Sequence, residues 1–228
     1  MKVFGVMQIC DSAADIVHLA VGAMSGFCDK VFFLTNPIRD ARVYAAIESC
    51  PNLGGIREQP ASPGHDYGEG LVYGYHWLNG FGQCDWVVLP DHDEILPYAH
   101  LRDELLAAET LGRRAVTFPF INCWGDPETI VDPRLNLTGD HCKAYRAGDP
   151  SLGRPEIAGF NIPRGYWDGS CYGSRWPVRH CHMMTPDMRQ RHRPEPWAAS
   201  PPPTLAFRED WMIQDYQAAV TDRTLIDR

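Results

Sequence analysis

Three carboxylates follow a short apolar run near the middle of the chain. The run is Trp86 to Leu89, and Asp91, Asp93 and Glu94 come almost directly after it. Because residues two apart on an extended segment point the same way, Asp91 and Asp93 should share one side of the loop. Two carboxylates with room for water and phosphate oxygens suit Mg²⁺ or Mn²⁺. The alternative is an acidic turn that leads into a helix, since carboxylates also favour helix N-termini.

The elements before and after this loop alternate between strands and helices. Strands are predicted at 3–9, 30–35, near Ile56, at 86–89 and at 115–121, and helices around 12–27, 43–50, 71–78 and 101–108. This alternation indicates βαβ units and a mostly parallel sheet. Ligands of such sheets bind at the carboxyl ends of the strands, which is where the acidic loop lies. The chain has neither the glycine-rich dinucleotide motif nor a P-loop.

The second half has a different texture, because helical periodicity fades after Asn122 and Gly, Pro and aromatic residues become frequent. Short strands are predicted at 141–146 and 157–162, and Thr185 is placed to cap a short helix that starts at Pro186. A proline-rich tether follows, and a terminal helix is predicted over 208–220.

Charge is distributed unevenly along the 228 residues. The formal net charge is -8, which argues against a surface built as a whole for a nucleic-acid backbone. Between Arg134 and Arg193, however, 10 basic residues face 5 acidic ones. This local excess suits a ligand that carries phosphate.

Eight cysteines are scattered through the chain with no pair at the C-x-x-C spacing. A disulfide scaffold is therefore not expected, and a reducing cytoplasmic location fits better. No apolar stretch reaches the ~18 residues of a membrane helix, so no membrane span is expected.

Three segments carry a resemblance to a known family. They are WVVLPDHDEIL at 86–96, which looks like a DxD motif, the aromatic-rich stretch 118–146, and VRHCHMMTPDMRQRH at 178–192. In this order, over about residues 2–193, they resemble the family 2-like glycosyltransferases of the GT-A fold. The chain departs from the family after the second strand, where 36–40 reads Asn-Pro-Ile-Arg-Asp in place of Asp-Gly-Ser-Thr-Asp.

The resemblance implies a GT-A-like α/β fold, with a mostly parallel central sheet flanked by helices, an irregular C-terminal part and a terminal helix. It also implies three parts. Residues 1–121 would bind the nucleotide sugar and end in the DxD region, 122–193 would form the acceptor side and complete the metal site, and 194–228 would be the tether and the C-terminal helix.

The implied activity is the metal-dependent transfer of a sugar from a nucleotide-diphosphate donor to a hydroxyl acceptor. Mn²⁺ or Mg²⁺ would stabilise the charge of the leaving diphosphate. Asp93 is the first expected ligand, with Asp91 as a second ligand or a donor contact and His180 completing the metal shell. His182 is a fallback ligand, and Glu94 is equally well explained as a support of the loop.

The remaining expected site residues contact the donor or activate the acceptor. Asn36, Arg189 and Arg191 are the candidate donor contacts, since guanidinium groups match phosphate oxygens. Asp140 and Asp168 are the candidates for the general base that an inverting enzyme needs. The acceptor stays open among a glycan, a lipid-linked sugar, a protein side chain and a modified DNA base.

Two other functions compete with this interpretation. The first is a metal-dependent phosphoesterase that uses the acidic loop and His180, although it would want a second set of metal ligands. The second is a non-enzymatic zinc-stabilised module, with ligands drawn from two histidines and three cysteines: His141, Cys142, Cys171, Cys181 and His182. Their spacing matches no regular zinc motif.

Overall fold

The computed structural model describes residues 1–58, 84–132, 138–148, 157–158, 162–163, 171–186, 188 and 202–207. The helices predicted around 71–78 and 208–220 lie outside these residues, as does most of the proline-rich segment. None of the described helices is long and apolar enough to cross a membrane.

The described elements are short strands with three α-helices among them. The helices are α1 (Val17–Phe27), α2 (Ala41–Glu48) and α3 (Tyr98–Thr110). The strands are β1 (Val3–Ile9), β2 (Lys30–Thr35), β3 (Leu53–Glu58), β4 (Trp86–Val88), β5 (Glu94–Ile95), β6 (Ala115–Trp124), β7 (Asp126–Val131), β8 (Thr138–Arg146), β9 (Ile157–Ala158), β10 (Ile162–Pro163), β11 (Cys171–Gly173), β12 (Val178–Met183) and β13 (Thr204–Ala206).

Eleven of the described strands form one mixed sheet, and β9 and β10 form a separate pair. Strands β3, β2, β1 and β4 lie side by side in that order and run parallel. Strand β8 then joins β4 antiparallel, and β6 joins β8 antiparallel. The predicted α/β architecture with its parallel N-terminal sheet is confirmed. Residue 121, where the first predicted part ends, lies within β6.

Strands β1, β2 and β4 are buried on both faces, as their apolar runs predict, whereas β3 is largely exposed. On one face of β1, Val3 and Met7 share a core cluster with apolar residues of all three helices. On the opposite face, Phe4 and Val6 pack in a second cluster with residues of β2, β4 and β8. Helix α1 packs closely on the sheet at Gly5. A Cβ at this position would lie only 2.6 Å from the sulfur of Met24, which leaves no room for a side chain.

Two predicted helix starts have different outcomes. Asp11 and Ser12 form a 3-10 turn, and α1 begins only at Val17. The Asp11 carboxylate accepts hydrogen bonds from the backbone N–H groups of Arg39 and Asp40 and so holds the loop after β2. The predicted cap at Thr185 is confirmed, since its hydroxyl accepts a hydrogen bond from the Met188 N–H at 3.1 Å.

Strand β12 connects the acidic loop to the rest of the sheet. It runs parallel to β6 and antiparallel to β5, and it pairs His180 with Asn122 on one side and with Glu94 on the other. Residues of the 86–96 and 178–192 segments therefore meet at the carboxyl end of β4.

Candidate active site

The acidic loop is a tight turn that its own hydrogen bonds close. The N–H of Glu94 donates to the carbonyl oxygen of Asp91 at 3.1 Å. In return, the N–H of Asp91 donates to Oε2 of Glu94 at 2.8 Å. Asp91 also forms a parallel bridge to Gln8 of β1, which ties the turn to the centre of the sheet. Glu94 thus makes the contacts of a loop support.

Lys143 of β8 is the buried cation of the site. Its ammonium group lies 2.9 Å from Oδ2 of Asp91 and 2.8 Å from Oε2 of Glu94, and its side chain is 1% exposed. Buried charges are stable only when paired. This one lysine therefore holds two of the three loop carboxylates against the strand β8.

The pKa values of this cluster follow from burial and from the shared lysine. Burial lowers the pKa of Lys143, but the carboxylates of Asp91 and Glu94 outweigh burial and leave that pKa raised. Burial raises the pKa of Asp91, yet Lys143 brings it below its usual value. Burial and the neighbouring Asp91 charge raise the pKa of Glu94. Of the two carboxylates that Lys143 contacts, Asp91 is therefore the stronger acid.

The third carboxylate, Asp93, faces a histidine from the distant C-terminal segment. Oδ2 of Asp93 lies 3.4 Å from Nε2 of His180. Burial raises the pKa of Asp93, but His180 outweighs it and leaves the pKa well below the usual range. Burial lowers the pKa of His180, whereas Asp93 raises it above its usual value. The backbone supports this contact, since the N–H of Cys181 donates to the Asp93 carbonyl oxygen.

Aromatic and imidazole rings surround the pair. The ring of Phe120 lies edge-on to the His180 ring, with 5.5 Å between the ring centroids, and is tilted against the His141 ring, with 4.1 Å between the centroids. The His182 ring lies 4.0 Å from that of His180. Burial, together with the Lys143 charge, lowers the pKa of His141 to about 4, so this imidazole is neutral at neutral pH.

The other predicted site residues are placed to different degrees. Asn36 directly follows β2 at the same edge of the sheet as the acidic loop, and its N–H donates to the carbonyl oxygen of Ile9. Asp140 lies in strand β8. Asp168, Arg189 and Arg191 lie outside the described residues.

The donor set around Asp93 fits a divalent cation. A carboxylate oxygen and an imidazole nitrogen on facing segments are ligand types that Mn²⁺ and related ions accept. Within the described ranges, no three His, Cys, Asp or Glu side chains form a complete ligand set. A site with few protein ligands, open to water and phosphate oxygens, is typical of nucleotide-bound Mg²⁺.

The described cysteines give the zinc alternative no support. Cys142 and Cys181 are buried in separate apolar clusters, whereas the neighbouring His141 and His182 lie on the face that carries Phe120. Burial raises the pKa of the Cys142 thiol well above its usual value. Contact with Cys123, together with burial, does the same for Cys181. All eight cysteines are free thiols.

Lys143 and Asn122 are the site residues that sequence reasoning missed. Lys143 stands between the buried Cys142 and Ala144 on a strand that is covered on both faces. A lysine in such a run needs a carboxylate partner, and the acidic loop is the obvious source. That signal was present in the sequence. For Asn122, no comparable signal exists.

The comparisons with known proteins show the fold. No family model and no curated protein matches the sequence. Among solved structures, residues 1–349 of TarS from S. aureus match with a TM-score of 0.55 and 12% identity, over 80% of this chain and 61% of that one. The chain has the GT-A fold. It spans about three fifths of the length of that TarS fragment.

Two further solved structures match this chain with lower TM-scores. A 4-diphosphocytidyl-2C-methyl-D-erythritol synthase matches with a TM-score of 0.49 and 12% identity, over 71% of this chain and 82% of that one. TarS 1–349 in complex with UDP-GlcNAc matches with a TM-score of 0.46 and 13% identity, over 67% and 46% of the two chains.

Proposed function

We propose that this chain is a metal-dependent glycosyltransferase that moves a sugar from a nucleotide-diphosphate donor to a hydroxyl acceptor. The observation that carries the proposal is the approach of Asp93 Oδ2 to His180 Nε2, at 3.4 Å, beside the end of β4 in a GT-A sheet. The fold likeness to TarS, a protein also solved with UDP-GlcNAc, supports a nucleotide-sugar donor.

Asp93 and His180 are the residues that would hold the cation, which is Mn²⁺ or Mg²⁺. When bound, the ion supplies a positive charge that stabilises the leaving diphosphate. The carboxylate of Asp93 is ionised at neutral pH because His180 keeps its pKa low. The same segment is held in place by Lys143, so the ligand geometry is set before the donor arrives.

Asp91 and Asn36 have donor-side roles in this proposal. The bond to Lys143 uses one oxygen of Asp91, and the carboxylate stands at the same sheet edge as Asn36. We assign both to donor contacts, with Arg189 and Arg191 as diphosphate contacts from the C-terminal segment. Asp140 and Asp168 stay the candidates for the general base. We assign the protein to the cytoplasm, because eight free thiols suit a reducing compartment.

A thermal-shift experiment tests the metal and donor assignments together. UDP plus Mn²⁺ should raise the melting temperature by about 5–10 °C when both are near 100 times their Kd, and by much less when either is alone. Asp93→Ala should abolish the joint shift. Asp103→Ala, which removes an exposed carboxylate of α3, should leave the shift unchanged. A joint shift of wild-type size in Asp93→Ala would show that the cation is held elsewhere.

A further inference from the structure

Asn122 of β6 carries a buried amide oxygen without a hydrogen-bond partner. The residue is 5% exposed, and its Oδ1 has no partner among the described residues. Buried acceptors in folded proteins are nearly always satisfied, because an unpaired one loses its water without replacement. The amide therefore indicates a bound group that the folded chain itself does not provide.

The position of Asn122 shows where that group would lie. Asn122 and His180 are register partners on the neighbouring strands β6 and β12. Partners in a parallel pair point to the same face, and the strands are about 4.8 Å apart. Phe120, two residues earlier on the same face of β6, touches the His180 ring at 5.5 Å. The amide thus projects beside the imidazole that faces Asp93.

Three atoms that can bind a cation lie on this side of the sheet: the Asp93 carboxylate oxygen, the His180 imidazole nitrogen and the Asn122 amide oxygen. A sugar hydroxyl would satisfy the amide oxygen alone, whereas a cation that replaces the contact between Asp93 and His180 would bind all three. Amide oxygens are regular ligands of hard divalent cations. Side chains of Asp, Glu, His and Cys alone form no complete set in the described part of the chain, which leaves room in the metal shell for a ligand of another type.

We propose that Oδ1 of Asn122 is the third protein ligand of the divalent cation, together with Asp93 and His180. This inference rests on the proposed function, because it assigns a residue to the same metal site. The proposed ligands are two oxygens and one imidazole nitrogen. This donor set favours Mn²⁺ over Mg²⁺, which prefers ligands that are all oxygen.

Binding of Mn²⁺ alone, followed by the electron paramagnetic resonance signal of the free ion, tests the ligand. Asn122→Leu keeps the approximate size of the side chain and removes the oxygen, so it should weaken Mn²⁺ binding at least about tenfold. Asn122→Asp keeps an oxygen and adds charge, so it should bind at least as tightly as wild type. The matched control is Thr117→Val, a buried polar residue on the same strand, which should stay within about twofold.

Asp93→Asn separates failure of this ligand from failure of the proposed function. If Asp93→Asn loses Mn²⁺ while Asn122→Leu binds as wild type does, the third ligand is overturned and the metal site stands. If wild type itself binds no Mn²⁺, both are overturned. A variant series in which Asn122→Leu binds Mn²⁺ normally but loses affinity for a nucleotide sugar would assign the amide to a sugar hydroxyl, against the proposal.

The stability of the metal-free protein distinguishes a ligand from a structural amide. Asn122→Leu removes an unpaired buried acceptor, so its metal-free melting temperature should equal or exceed that of wild type. A fall of more than about 5 °C would indicate a structural role and contradict the proposal. If Asn122→Leu does not fold, Asn122→Asp decides the matter, because weaker Mn²⁺ binding by that variant would also overturn it.

Discussion

The parallel strands β1 to β4 and the later strands β6, β8 and β12 form one sheet, but they are stabilised differently. The parallel region buries apolar side chains on both faces of β1, β2 and β4, with Met7 and Phe33 fully covered. The later region buries Lys143 and Asn122 among its apolar residues, and Lys143 meets carboxylates of the acidic loop. Apolar burial tolerates exchange of similar side chains, whereas a buried charge depends on one specific partner.

The largest expected effect is the loss of the buried lysine. Lys143→Met leaves the carboxylates of Asp91 and Glu94 buried without their cation, which should lower the free energy of unfolding by about 3–5 kcal/mol. Urea denaturation measures the change. The control Lys30→Met removes an exposed lysine from the start of β2 and should stay within about 0.5 kcal/mol of wild type.

A double variant sharpens this prediction. Adding Glu94→Gln to Lys143→Met removes one of the two stranded carboxylates, so part of the lost stability should return. If Lys143→Met alone costs less than about 1 kcal/mol, the two regions do not differ in the way proposed, since a surface ion pair contributes that little.

The smaller effect belongs to the parallel region. Phe33→Leu exchanges one buried apolar side chain for another, and the free energy of unfolding should fall by about 1 kcal/mol. The joint shift with UDP and Mn²⁺ should be unchanged, because no charge near the acidic loop is altered. A loss of 3 kcal/mol or more in urea denaturation would contradict the comparison, because this core would then be as sensitive to substitution as the Lys143 cluster.

The same contrast explains how much of the fold the sequence could predict. Strands β1 and β2 and helix α3 follow from apolar runs and from helical spacing, because packing there depends on residues close in the chain. The cap at Thr185 was also predictable, since its partner is three residues away. The helix start expected at residue 12 was wrong, because α1 begins only at Val17 and the Asp11 carboxylate bonds the loop after β2.

The candidate site was predicted in part. The carboxylates at 91 and 93 and the imidazole at 180 were named from motif resemblance, and Asp93 and His180 do lie together. The partnership of Lys143 with Asp91 spans 52 residues and crosses from one strand to another. Local patterns give no pairing over that distance, so the sequence leaves open which acidic residue the lysine meets. The burial of Asn122 depends on β12, which is more distant still.

The central claim is that a cation held by Asp93 and His180 supports departure of a nucleotide diphosphate from a sugar. The most direct measurement is release of the nucleotide from a panel of nucleotide-diphosphate sugars, with Mn²⁺ or with EDTA, by wild type and by Asp93→Asn. We predict release from at least one donor with Mn²⁺, none above background with EDTA, and a rate at least about 100-fold lower for Asp93→Asn, equivalent to about 2.7 kcal/mol. Release that persists in EDTA, an unchanged rate in Asp93→Asn, or no release from any donor would contradict the claim.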